Sequence, residues 1–167
     1  FDMLIEEEEM VMSFKITDSV TWVGKVNWDL RHFHGHELST HRGTTYNSYL
    51  VSDQKKVLID TAWTPHAREY VDNLAREIDL QDIDFIVANH SEVDHSGALA
   101  ELMKEIPDKP IYCTANGAKM LKAQMHQDWN FQIVKSGDKL DLGDKQLVFV
   151  EAPMLHWPDS MFCYLTG

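Results

Sequence analysis

Two periods of apolar residues alternate along the chain, and the switches between them mark its elements. Asp84-Phe85-Ile86-Val87-Ala88-Asn89 is an apolar run of strand length and predicts a buried strand. After a short polar turn, Ser96 to Ile106 places Leu99, Leu102, Met103 and Ile106 at helical spacing, with Ser96 as the candidate N-cap. Upstream, Ala67, Tyr70, Val71, Leu74 and Ile78 form a second helical stripe. Thr64-Pro65 opens that helix, with Thr as N-cap and Pro at the first helical position. Strands are predicted around Thr21-Trp22-Val23-Gly24, near residues 46–51 and 55–60, and at Pro110-Ile111-Tyr112-Cys113. A helix follows from about Ala115 to Met125. From there the pattern is β, at Phe131–Val134, Lys139–Leu142, Gln146–Glu151 and Ser160–Leu165. The turns Ser136-Gly137-Asp138 and Gly143-Asp144 read as hairpins. The chain shows no repeat, low-complexity linker or internal boundary, so residues 12–167 read as part of a single α/β domain.

Composition narrows the class. The 167 residues suffice for one domain with a sizeable core. No apolar run approaches the roughly 20 residues of a membrane span, and no signal peptide is recognisable. Cys113 and Cys163 are too far apart for a Cys-x-x-Cys site and read as buried strand residues of a protein in the reducing cytoplasm. A net charge of −12 argues against nucleic acid as a partner and suits a basic electron donor. Asp2 and Glu6-Glu7-Glu8-Glu9 carry much of that charge, and residues 1–11 read as an upstream extension or a disordered acidic tail.

The chemistry concentrates in His90-Ser91-Glu92-Val93-Asp94-His95, four metal-ligating side chains in six residues. They stand between the buried strand and the amphipathic helix, where side chains converge on one point. Two imidazoles and two carboxylates so close together repel or stay solvated unless a cation gathers them. The competing reading is a polar surface turn, which would suffice for a single His-Glu pair. Nitrogen and oxygen donors without thiolate argue against a structural zinc knot or an iron–sulfur cluster and suit iron, manganese or catalytic zinc. Four ligands on one short turn exceed the about three that one open catalytic ion takes from protein, so two adjacent ions are the natural inference.

His90-x-Glu92-x-Asp94-His95 resembles the iron-binding signature of the flavodiiron proteins, a branch of the metallo-β-lactamase fold. Hydrolases of that fold usually carry His-x-His-x-Asp-His; here Glu92, a harder anionic ligand, stands in place of the second His and favours iron over zinc. The resemblance extends through His34 in Phe33-His34-Gly35, Gly43 to Leu50, Val57-Leu58-Ile59-Asp60-Thr61 and Pro153 to Met161, from about Phe14 to Gly167. It is closest to the flavorubredoxin-type members. It implies an αββα sandwich of which this chain is about the N-terminal half. It also implies two irons, with His90, Glu92 and His156 on one and Asp94 and His95 on the other, His95 being the least secure. A bridging Asp and a last His would come from the remainder of the fold, in a missing segment or a second chain.

The same resemblance implies reduction of nitric oxide to nitrous oxide, or of dioxygen to water. Electrons would come through FMN held in a flavodoxin-like domain outside these residues, brought near the iron in a head-to-tail homodimer. Glu92 would face that flavin, and a rubredoxin-like protein or a flavoprotein would be the donor. His34 would line the substrate pocket as a hydrogen-bond donor. Pro153 and Pro158 stiffen the loop that carries His156. His32, His36 and His41 read as surface residues, His66 and His126 as structural ones, Trp157 as core or as packing against the site or the flavin, and Asp60 as a support of the fold. Two rivals remain: a dinuclear zinc hydrolase, which Glu92 speaks against, and a non-catalytic diiron oxygen sensor.

Overall fold

The computed structural model describes residues 13–33, 35 and 37–167; the N-terminal tail 1–11, His34 and His36 lie outside the described residues. Strands β1 (Phe14–Lys15), β2 (Val20–Trp22), β3 (Lys25–Asn27), β4 (His32–Phe33), β5 (Leu38–Ser39), β6 (Thr44–Tyr46), β7 (Tyr49–Ser52) and β8 (Lys56–Ile59) come first. A 3-10 turn (Thr64–His66) and α1 (Ala67–Glu77) lead to β9 (Phe85–Val87), α2 (Val93–Ser96) and α3 (Leu99–Glu105). Then follow β10 (Ile111–Cys113), α4 (Ala115–Met125), β11 (Phe131–Ile133), β12 (Lys139–Asp141), β13 (Gln146–Glu151) and β14 (Met161–Thr166).

Seven strands form one sheet in the order β1-β2-β7-β8-β9-β10-β11, antiparallel up to β8 and parallel from β8 to β11. Its central strands are apolar on both faces because both faces are covered, as a parallel sheet requires. Leu50, Leu58, Ile86 and Ile111 pack under α1, α3 and α4 with Tyr70, Leu74, Leu99, Leu102 and Leu121. Their neighbours Val51, Val57, Ile59 and Val87 face the other way, onto Leu140, Leu147, Phe149 and Met161 of the antiparallel sheet β12-β13-β14. The layers are therefore helix, sheet, sheet. The outer face of the second sheet carries Val150, Phe162 and Tyr164, all exposed, with Phe162 directly opposite Val150 in register.

Four local expectations need correction. Ser96 is no N-cap: it ends α2, and its hydroxyl donates back to the carbonyl oxygens of Ser91 and Glu92. The single helix predicted from Ser96 breaks into α2 and α3 at Gly97, where a Cβ would lie 2.4 Å from the Thr64 nitrogen and from the Val93 oxygen. Thr64 is likewise not the cap of its helix, because the cap position falls to Trp63 and Thr64-Pro65 begins a 3-10 turn that precedes α1. Finally, Gly143 does turn a hairpin, but Gly137 does not. Strand β11 pairs with β10 and β12 with β13, so the Gly137 turn carries the chain from one sheet to the other.

The two faces of β13 and β14 differ in energetic weight. Phe149 is 1% exposed between the sheets, so Phe149→Ala is expected to cost about 3–5 kcal/mol in urea unfolding. Tyr164 is 68% exposed, and Tyr164→Ser is expected to change the stability of this chain by less than about 0.5 kcal/mol.

Candidate metal centre

The candidate ligands cluster at the carboxyl end of β9, where loops from both sheets meet. β9 ends at Val87, and the chain then turns through His90 and Glu92 into α2, which carries Asp94 and His95. The expectation of one turn bearing all four is thus half right, since the last two belong to a helix. Strands β13 and β14 form a hairpin whose tip holds His156. Inside that tip, Ala152 N–H donates to the Ser160 carbonyl, Met154 N–H to the Trp157 carbonyl, and Trp157 N–H to the Ser160 hydroxyl. Met154 takes a left-handed φ of 62° to make the bend. Met161 N–H donates to the Asn89 carbonyl, which stitches the hairpin to the end of β9.

His90, Glu92 and His156 each offer a donor atom, and the three atoms lie within 4.8 Å of one another. One oxygen, Oε2 of Glu92, stands 3.1 Å from Nε2 of His90 and 3.0 Å from Nε2 of His156. His90 and Glu92 are buried, whereas the His156 side chain is 57% exposed. Asp94 and His95 stand beside this group. Their closest approach is 3.8 Å, from His95 Nε2 to Asp94 Oδ2, and the His95 ring lies 5.3 Å from that of His90.

Two carboxylates that sequence reasoning left without a role at the centre hold the imidazoles. Asp159 is fully buried, and both its oxygens lie 3.2 Å from His90 Nδ1, while Ser91 N–H donates to it at 2.6 Å. Burial pushes the Asp159 carboxyl up, but the Ser91 hydrogen bonds and the neighbouring His90 outweigh it and hold it below the usual range. Asp60 is the second. It takes a left-handed φ of 55°, accepts from Asn89 N–H at 2.7 Å, and lies 3.3 Å from His95 Nδ1. Thr61 adds its N–H and hydroxyl to the His95 carbonyl at 2.7 and 2.8 Å. The signal available for Asp159 was its position three residues beyond His156, but partners 68 and 69 residues away cannot be read from spacing. Trp157, for which both core packing and a place against the site were open, stands edge-on to His90 with centroids 4.9 Å apart.

The donor set suits a cation. Buried carboxylates and imidazoles without a counter-charge carry a desolvation cost of several kcal/mol per ion. Asp94 Oδ1 is buried and has no hydrogen-bond partner among the described residues, an acceptor open to a metal. Burial pushes the nearby thiol of Cys163, which accepts from Asn89 Nδ2 at 3.7 Å, up to about 11. Next to Glu92 and Asp94 lies a cleft of about 260 Å³ walled by Leu30, Phe33, Trp63 and Val93. That is below the roughly 300–1,000 Å³ of pockets for drug-sized ligands. Of the other histidines, His32 and His41 are exposed. His66 packs on Tyr46 and Trp63, and His126 forms the left-handed cap of α4. Among the described residues no helix is long and apolar enough to cross a membrane.

Comparison with known proteins agrees with this geometry. A family model described as ODP family beta lactamase matches residues 44–166. The anaerobic nitric oxide reductase flavorubredoxin of Klebsiella pneumoniae is 57% identical over 158 residues, which is 93% of this chain and 33% of that protein. Among solved structures, the rubredoxin oxygen:oxidoreductase of Desulfovibrio gigas superposes with a TM-score of 0.85 at 40% identity, over 91% of this chain and 38% of that one. The flavodiiron protein of Giardia intestinalis gives a TM-score of 0.85 at 33% identity, over 92% and 37% respectively. The chain therefore spans about a third of the length of the curated relatives it matches. With its helix–sheet–sheet layering and with the family match running from β6 to the end of β14, the chain belongs to the ODP family of β-lactamase-like proteins, as the N-terminal metallo-β-lactamase-like part of the flavodiiron branch.

Proposed function

We propose that this chain supplies five of the protein ligands of a diiron centre that reduces nitric oxide to nitrous oxide, dioxygen to water, or both. The observation that carries the reading is Glu92, a buried carboxylate between two imidazole nitrogens. An anionic oxygen in that position favours iron over zinc and speaks against the hydrolase reading. His90, Glu92 and His156 would hold one iron, and Asp94 and His95 the other. The bridging Asp, the last His and the cover over Val150, Phe162 and Tyr164 would come from the remainder of the fold. FMN bound by a flavodoxin-like domain outside these residues, a head-to-tail homodimer and a rubredoxin-like or flavoprotein donor complete the proposal. The flavorubredoxin relatives support nitric oxide as substrate.

Bound there, iron supplies the one-electron chemistry that a diatomic radical such as nitric oxide requires. The protein's share is positioning and exclusion. Asp60 and Asp159 orient the two imidazoles, Trp157 closes one side of His90, and the apolar walls of the cleft admit a small neutral gas. His34, which lies outside the described residues, is proposed from the family resemblance to donate a hydrogen bond to the substrate, on which charge builds during reduction.

Three outcomes test this in the protein carrying the remainder of the fold. Glu92→Ala is expected to lose iron and reductase activity while the circular dichroism spectrum persists; full iron content by elemental mass spectrometry would refute the assignment. His34→Ala is expected to keep its iron and slow nitric oxide consumption, and unchanged kinetics would remove the proposed donor.

The third outcome is a pH dependence. Burial lowers the His95 value, but the Asp60 hydrogen bond and charge, with Asp94 and Glu92, outweigh burial and raise it above that of a free imidazole. The folded value exceeds the unfolded one. The protonated pair therefore stabilises the metal-free fold fully below about pH 6.5, and this contribution fades as pH rises through the raised value. NMR titration of metal-free protein should give a His95 midpoint above about 6.5, and Asp60→Asn should lower it. A wild-type midpoint below that value would show that burial dominates.

A further inference from the structure

We propose that Asp159 is a positioning residue of the centre: it takes the Nδ1 proton of His90, leaves the Nε2 lone pair for the metal, and ties the His156 loop to the His90 turn. The inference rests on His90 being a metal ligand, as proposed above.

The contacts of Asp159 leave its neighbours little choice. A carboxylate only accepts hydrogen bonds. Ser91 N–H donates to Oδ2 at 2.6 Å, and His90 Nδ1 faces both oxygens at 3.2 Å. Both ring nitrogens face a carboxylate, since Glu92 Oε2 stands 3.1 Å from Nε2; a cation held by Glu92 and His156 would need the Nε2 lone pair, which leaves the proton on Nδ1 against Asp159. Metal-ligating histidines characteristically have such a partner on their other nitrogen. The Trp157 ring meets His90 at 89°, which stops the imidazole from turning away from Asp159.

The same residue fixes the loop. Asp159 lies three positions beyond His156, and its carbonyl accepts from the Thr114 hydroxyl at 3.1 Å. Thr114 also caps α4 by accepting from Gly117 N–H, and Asn116 Nδ2 donates to the Pro158 carbonyl at 3.0 Å. Through these bonds the start of α4, the His90 turn and the His156 hairpin form one unit. His156 itself is 57% exposed and has little packing of its own, so its distance from His90 depends on this tie.

Asp159→Asn separates the positioning role from a merely structural one. The amide oxygen can still accept from Ser91 N–H, but the amide NH2 then faces His90 Nδ1. That pairing makes Nδ1 an acceptor and moves the proton to Nε2, the position a metal needs free.

The test uses the protein carrying the remainder of the fold, with 15N-labelled histidine. Long-range proton–nitrogen NMR on the metal-free wild type should show a proton on His90 Nδ1, and the Asp159→Asn variant should show none there. Competition of ferrous iron against a chelator should give an affinity about 10- to 100-fold weaker for the variant, at unchanged secondary structure. Asp159→Glu should recover part of that loss. A wild-type His90 with no proton on Nδ1 overturns the proposal, and this readout stands even if the Asn variant does not fold. A folded Asn variant that binds iron as tightly as wild type also overturns it. A wild type that takes up no iron at all would instead sink the diiron reading.

Discussion

Placing a carboxylate out of water between two imidazoles is the constraint from which the rest of this structure follows. Glu92 and His90 are both under a tenth exposed. Charged groups in such surroundings are tolerated only when each has a partner on every side. The chain meets that demand by drawing residues from distant segments: Asp159 and His156 from the β13–β14 hairpin, and Asp60 from the end of β8. The parallel run from β8 to β10 makes this feasible. It brings the carboxyl ends of β8 and β9 to one edge, where their loops face each other. The left-handed Asp60 belongs to the same arrangement. Such a backbone costs a residue other than glycine about 1–3 kcal/mol, a cost that persists only where the surroundings fix it. Here the Ser48 hydroxyl on its carbonyl and Asn89 N–H on its side chain do so.

What was legible in the sequence was whatever depends on neighbours along the chain. The apolar run of β9, the stripe of α1, the extent of α4 and the adjacency of His90, Glu92, Asp94 and His95 are local properties, and they survive folding. The errors came where a local pattern has two tertiary solutions. A glycine turn between two apolar strands reads as a hairpin, yet Gly137 connects strands of different sheets, and only the pairing partners decide that. A serine before an apolar stripe reads as a cap. Ser96 is displaced from that role because Gly97 must pass within van der Waals reach of the Thr64 backbone, which ends one helix and starts another. Asp159 and Asp60 escaped as site residues for a related reason, since a buried acid declares its purpose only through its contacts.

The two halves of the proposed centre are unequal, and the inequality is physical. His90 is clamped by a buried acid and an aromatic edge, and Glu92 is buried beside it. Asp94 keeps one oxygen without a partner among the described residues, while the His95 side chain is 38% exposed and held from one side by Asp60. A rigid site pays little ordering entropy when an ion arrives, whereas a loose one pays more for each side chain it must fix. In the proposed centre, the iron on the His90 side would therefore be the one whose position this chain determines largely by itself, and the other would depend on ligands from outside it. The same asymmetry appears in the packing, where the first sheet is covered on both faces and the second shows Phe162 and Tyr164 to solvent. In the proposed reading, one further set of elements would both cover the second sheet and supply the remaining ligands of the second iron.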